Sequence, residues 1–299
     1  MNLNTTVKRI KNLKIQGAAN IAKAAVKALG IYASKIKSKD SKLFFKELEK
    51  AKLELFNSRP TEPEMRNYLN YILFYLKKSN LGGVYELKRL TKKLVKEILE
   101  IRNNNFEKLT EYGSTLIKKN FIVYTHCHSS SVTQSLIKAK KPFAVHNTET
   151  RPKFQGRKTA RELAKNKIKV IHYVDSGMNL ALKKADLVML GADSVTTTHF
   201  INKIGTSMVV DIADKLGIPI YVCTASLSFN AQTIHGKDEV IEQRQAREVW
   251  ISAPKGIKII NPAFERIKLE KVTAIVSDLG ILKPDTFIQE AMNKYPWLA

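Results

Sequence analysis

Cysteine is scarce in this chain, with only Cys127 and Cys223 among 299 residues. Two thiols in a chain of that length make no disulfide framework, so a reducing, cytoplasmic setting is expected. Long apolar runs are missing as well. None nears the roughly eighteen consecutive residues of a membrane span, so no membrane partner is expected. The first fourteen residues scatter Lys and Arg among isolated Leu and Ile, without the apolar core of a signal peptide. Acid is in short supply too: 27 Asp and Glu face 51 Lys and Arg, a net charge of +24. Such an excess suits anionic partners, whether phosphorylated metabolites or nucleic acid. The lysines spread along the whole chain, and the aromatic-interleaved basic strands of a single-strand RNA reader are absent. A generally solvated surface and a dedicated RNA face both remain open. No second Cys or His pair supports His126, Cys127 and His128 as ligands, and adjacent strand residues face opposite ways. No metal is expected.

The chain otherwise has globular composition, with 44% hydrophobic and 26% charged residues. Over residues 1–118 the apolar positions fall at helical spacing, as in Ile21, Ala24, Ala25, Ala28 and Leu29, or Leu69, Ile72, Leu73 and Leu76. Thr61 is placed to cap a helix with Pro63 in its first turn, and the polar run 103–105 interrupts a long pattern over 84–116. From residue 119 onward the texture changes. Short apolar runs at 121–125, 143–146, 170–174, 187–190 and 218–224 alternate with amphipathic stretches, and 255–260 reads as a further strand. The tail, 285–298, reads as a last helix. The expected fold is α/β: an N-terminal helical domain (1–118), then a Rossmann-like, mainly parallel sheet with helices on both faces (119–299).

Ligands collect at the carboxyl ends of such strands, and the unusual polar residues lie there. The first strand runs into Thr125, His126, Cys127 and His128, and Ser129, Ser130 and Ser131 then open a helix whose N–H groups face an anion. Cys127 is either a small buried hydrophobe or a reactive thiol with its pKa lowered by nearby positive potential. Arg151, held beside Pro152 after the second strand, forks onto a phosphate or pairs on the surface. Asp193, at the tip of the fourth strand, is either a cap or a functional carboxylate. Asn202 and Lys203 lie in the turn that follows, where the lysine approaches a phosphate or is merely solvated. Near the N-terminus, Gln16, Gly17, Ala18 and Ala19 open a helix with small residues that admit close approach of a ligand or of another helix.

Together these segments resemble the initiation factor 2B-related superfamily. Residues 146–163, HNTETRPKFQGRKTAREL, are similar to its first signature, and GADSV (191–195) with NKIGT (202–206) to its second. Cys127 and Asp193 stand where the isomerase branches of the family have a catalytic pair that the regulatory subunits lack. The THCHSS run, Arg59-Pro60-Thr61 and Tyr295-Pro296-Trp297-Leu298 are most similar to ribose-1,5-bisphosphate isomerase. The resemblance implies an aldose–ketose isomerase of nucleotide salvage acting on a phosphorylated pentose without a cofactor. It makes Cys127 the base and Asp193 the acid. Gln16, Gly17, Ala18, Ala19, Arg59, Ser129, Ser130, Ser131, Arg151, Asn202 and Lys203 become substrate-binding residues. It further implies a homo-oligomer, a dimer or a hexamer. Two family cations are replaced: Gln16 stands where an Arg is expected, and Ser228 where a Lys is expected. The alternatives are a non-enzymatic regulatory subunit associating with a translation factor or RNA, and a methylthioribose-1-phosphate isomerase.

Overall fold

A computed structural model of the chain describes residues 1–15, 17–237 and 239–298; Gln16 lies outside the described residues. Two compact units emerge, Met1–Asn104 with Leu227–Glu239 and Met292–Ala299, and Asn105–Ser226 with Val240–Ala291. The change of texture at residues 118 and 119 follows element type, whereas these units follow packing.

The first unit is helical, as the periodicity predicts: α1 (Leu3–Lys11), α2 (Ala18–Lys35), α3 (Ser41–Phe56), α4 (Pro63–Lys78) and the first part of α5 (Val84–Thr115). Helix α4 buries Met65, Leu69, Ile72 and Leu76, a stripe at the i, i+4, i+7, i+11 spacing of one helix face. Trp297 closes this unit edge-on against Tyr71, with ring centroids 5.0 Å apart. Residues 227–239 are tied to α4 by Asn67, whose side-chain amide donates to the carbonyls of Leu227 (2.8 Å) and Phe229 (2.9 Å).

The second unit contains a seven-stranded sheet. Its strands are β1 (Ile122–Thr125), β2 (Ala144–Thr148), β3 (Lys169–Tyr173), β4 (Leu187–Gly191), β7 (Ile220–Cys223), β9 (Ala274–Ser277) and β10 (Gly280–Leu282), in the order β10-β9-β7-β4-β1-β2-β3. Every pairing is parallel except β9 with β10. Helices α6 (Ser130–Lys138), α7 (Gln155–Lys165), α8 (Met178–Leu182), α9 (Thr206–Lys215) and α10 (Pro284–Lys294) make the crossovers and the final segment. A second, antiparallel sheet joins β5 (Ser194–Val195), β6 (His199–Lys203) and β8 (Phe264–Lys268). The main core gathers Val123, Leu136, Val145, Leu163, Leu187, Met189 and Cys223 from both sheet and helices. Cys223 is thus structural, and burial pushes its thiol up to about 12.

Four local expectations are corrected. Helix α5 runs unbroken through residues 103–105, because Asn costs only about 0.7 kcal/mol relative to Ala in a helix and does not remove a backbone bond. Glu62, not Thr61, occupies the cap position of α4, with Pro63 as its first residue. Residues 255–260 form no strand; Ile257 and Ile260 are exposed, and the next strand begins at Phe264. The last helix ends at Lys294, two residues before Pro296, whose ring cannot continue it; a 3-10 turn, Pro296–Leu298, follows.

This packing makes a direct prediction. Leu136→Ala should destabilise the protein by about 2–5 kcal/mol, read as a lower urea midpoint at unchanged slope, because it opens a cavity in the main core. Ile251→Ala, at a side chain 90% exposed, should move the midpoint by less than about 0.5 kcal/mol equivalent.

Candidate active site

The sheet winds outward from β1 through β2 to β3, then returns to place β4 on the other side of β1. Loops leaving the carboxyl ends of β1 and β4 therefore part in opposite directions and leave a crevice between them. Cys127 lies in the first loop and Asp193 in the second. Their nearness is fixed by the backbone: a Cβ added to Gly191 would sit 2.6 Å from the Ser129 Cβ and 2.7 Å from its Oγ. Glycine is required at that position for the end of β4 to pass the mouth of α6.

The loop after β1 is held in an uncommon shape. Cys127 has a left-handed backbone (φ +66°), which costs a non-glycine residue energy and persists only when its surroundings hold it. Its N–H donates to Thr150 Oγ1 (3.0 Å), and its carbonyl accepts from Thr159 Oγ1 (2.8 Å). Since the Thr159 proton is used there, His128 Nδ1, 3.1 Å away, is the donor to Thr159. His128 is thereby a neutral Nδ1–H tautomer, and burial, with Lys158 adding to it, lowers its pKa to about 4.

His126 braces the other side. Its Nε2–H donates to the Ile204 carbonyl (3.0 Å), which leaves Nδ1 to accept from Thr148 Oγ1 (2.9 Å). Burial holds its pKa below the usual histidine value. Gly205, left-handed at φ +98°, fits against this ring: an added Cβ would lie 3.1 Å from Nε2. The contact anchors the turn after β6; Asn202 and Lys203, expected in that turn, are instead the last two residues of the strand, because each pairs with β8. Asn202 is buried and donates to Thr206 Oγ1 (3.1 Å), while the Lys203 ammonium lies over the Phe264 ring at 4.9 Å.

The electrostatics of Cys127 go against one of its two sequence readings, the thiol of lowered pKa. Burial pushes its thiol up to about 11, well above the ordinary cysteine value. Lys203 and the His128 N–H favour the thiolate, Asp193 and Asp175 oppose it, and burial outweighs them all. The thiol is therefore protonated in the free protein. Asp193 is half-buried, and its N–H donates to the Ile201 carbonyl (2.9 Å).

The remaining predicted residues are distributed as follows. Ser129 caps α6, accepting from the Val132 N–H at 3.4 Å; Ser130 and Ser131 form the first turn of α6, which carries no acidic residue. Arg151 donates from Nη2 to the Val249 carbonyl (3.0 Å) and stacks on Phe154, centroid distance 5.1 Å, so part of its fork is already engaged. In the helical unit, Gly17 (φ +81°) begins α2 with no side-chain cap, Ala18 and Ala19 follow, and Arg59 lies 3.6 Å from Glu62. Ser228 is buried in a 3-10 turn, Ser226–Ser228. Sequence reasoning missed Thr150, Thr159 and Asp175. The last follows β3, and the rule that singled out Asp193, an acid at the end of a strand, would have found it too. Among the described residues no cluster of His, Cys, Asp and Glu has the arrangement of a metal site, and no helix is long and apolar enough to cross a membrane.

Comparison with known proteins shows the family and the fold. The profile of the Initiation factor 2 subunit family matches residues 14–284. A ribose 1,5-bisphosphate isomerase from Pyrococcus furiosus is 33% identical, covering 97% of this chain and 93% of that protein. A methylthioribose-1-phosphate isomerase from Thermosipho africanus is 34% identical over 92% of this chain and 85% of its own length. A crystal structure of a translation initiation factor 2B protein from Pyrococcus horikoshii superposes with a TM-score of 0.81, covering 96% of this chain and 98% of that one at 24% identity. By fold, signatures and the extent of the match, the chain belongs to the Initiation factor 2 subunit family.

Proposed function

We propose that the protein is an aldose–ketose isomerase acting on a ribose phosphorylated at carbon 1, with ribose 1,5-bisphosphate giving ribulose 1,5-bisphosphate as the reference reaction. The observation that carries this reading is the placement of a thiol and a carboxylate, Cys127 and Asp193, in the two loops that part at the β1–β4 crevice, near enough for the aspartate charge to act on the thiol. Relatives named for this activity support it at 32–34% identity over nearly the whole chain.

A sugar esterified at carbon 1 has no free aldehyde, so its ring must open before the carbonyl can move. Asp193, protonated, gives its proton to the ring oxygen as the bond from that oxygen to carbon 1 breaks. Cys127, as thiolate, removes the proton from carbon 2, and the carbon 1–carbon 2 enol forms. The enol hydroxyl then returns a proton to Asp193 while the Cys127 thiol delivers its proton to carbon 1. Both groups end as they began, and no electron leaves the substrate, so the chemistry calls for no redox cofactor. Holding the thiol near 11 makes the thiolate rare at neutral pH but a stronger base when it forms, and these two effects partly offset each other. The substrate phosphates are assigned to Ser129, Ser130 and Ser131 at the start of α6, to Arg151, and to Asn202 with Lys203. On the same reading the protein works in the cytoplasm, in nucleotide salvage, as a homodimer or homohexamer. The second reading, methylthioribose 1-phosphate as substrate, rests on the 34% identity to an isomerase of that name and uses the same pair.

Incubation with each of the two sugars and analysis of the ketose product decides between them; turnover of neither would sink both. With the true substrate, Cys127→Ser and Asp193→Asn should each lower kcat by about 10² to 10⁴. Circular dichroism melts should show both variants folded at nearly the wild-type temperature. Alkylation of Cys127 by iodoacetamide, which consumes the thiolate, should speed up about tenfold per pH unit through neutrality and level off only near 11. A plateau below pH 8 would contradict the burial-dominated thiol.

A further inference from the structure

We propose that Asp175 is the positioning residue of this site, holding the Cys127 loop in its left-handed conformation through Thr150. The proposal rests on the reading of Cys127 as the base. Asp175 follows β3 after one intervening residue, Val174, two strands away from β1 in the sheet, and begins a 3-10 turn, Asp175–Gly177. Its carboxylate accepts from two successive backbone N–H groups, Thr150 to Oδ1 (2.8 Å) and Arg151 to Oδ2 (2.7 Å). Successive N–H groups around a left-handed residue form a concavity that takes an anion, and here the chain fills it with its own carboxylate. Thr150 is the left-handed residue (φ +61°), buried and β-branched, a conformation that such a side chain adopts only under constraint. Held this way, Thr150 turns its hydroxyl back to accept from the Cys127 N–H (3.0 Å). The order of dependence is therefore Asp175, Thr150, Cys127.

Two residues from two different loops, joined by a hydrogen bond, share one unfavourable backbone state, and one carboxylate is bonded directly to the second of them. Removing that carboxylate leaves the Thr150 turn with two unmatched donors and the Cys127 N–H with a partner no longer fixed. Asp175 also adds negative charge near the thiol, alongside Asp193, while Lys203 opposes them. Charge and position therefore act in opposite directions. Neutralising Asp175 favours the thiolate, whereas loosening the loop misplaces it. A purely electrostatic residue would make the neutral variant a better base; a positioning residue makes it a worse catalyst in spite of more thiolate.

The test compares wild type, Asp175→Asn and Asp175→Glu by amide exchange followed with NMR, by iodoacetamide titration, and by kcat and KM on ribose 1,5-bisphosphate. Exchange of the Cys127 amide, which does not touch Asp175, should accelerate about tenfold or more in Asp175→Asn, the scale of a lost hydrogen bond to a charged group. Asp175→Glu should restore part of that protection. Val145, in the sheet core, should keep its protection in all three. In the same Asp175→Asn protein the alkylation profile should move to lower pH, while kcat falls about tenfold and KM stays within about twofold. Unchanged protection at Cys127 overturns the proposal, as does a kcat that rises with the thiolate fraction or a loss of protection spread evenly to Val145. If wild type turns over no sugar, the functional reading fails by itself, and the exchange data still decide whether Asp175 positions Cys127.

Discussion

The parallel pairing of β1 with β4 is the constraint on which the rest of the second unit depends. Val123 faces Leu187 and Tyr124 faces Val188 across this pair, although the two strands lie more than sixty residues apart in sequence. Right-handed crossovers on a twisted sheet send the helices after β1 and after β4 to opposite faces. A gap must then open between the two departing loops, and it opens with a thiol on one rim and a carboxylate on the other. The other features of the site follow from keeping that gap narrow. Gly191 lets the rims approach, and Gly205 lets the Lys203 turn close against His126.

Hydroxyl groups do most of the bracing. Thr148, Thr150 and Thr159 each have a short, β-branched side chain with few rotamers to lose, and each ties the loop after β1 to another element: β2, the loop after β2 and α7. The bonding is directional throughout. The Tyr124 hydroxyl donates to Thr148, Thr148 to His126, and His126 to the Ile204 carbonyl, so a neutral imidazole with one defined tautomer sits at the centre. Each bond contributes only about 1 kcal/mol, but their sum offsets the cost of left-handed residues at Cys127 and Thr150. The uncommon backbone at the site is thus stabilised by polar contacts, and the apolar core beneath it is left regular.

Much of this was legible from residue order alone. The five parallel strands from β1 to β7 stand out because each is a short apolar run bounded by polar turns, and their ends mark the site. The second sheet was not legible: β6 reads His-Phe-Ile-Asn-Lys and β8 Phe-Glu-Arg-Ile-Lys, with neither the length nor the alternation of a half-buried strand. Both exist because each pairs with the other over five residues, a long-range fact without a local signature. The thiol pKa stays undecided in the sequence for a related reason. Sequence shows the lysine and the helix start near Cys127 but not how much of the chain folds over it, and that cover decides the sign. Asp175 carries the same signal as Asp193, an acid just past the end of a strand, but its partners are backbone N–H groups, so its role is not legible in the sequence.

One consequence of the protonated Cys127 reaches beyond catalysis. Thiolates attack peroxides and disulfides, whereas a neutral thiol reacts with them slowly. A sulfur kept in its neutral form and bound in no disulfide is slow to oxidise. The same burial that makes the base scarce therefore also makes it a durable one.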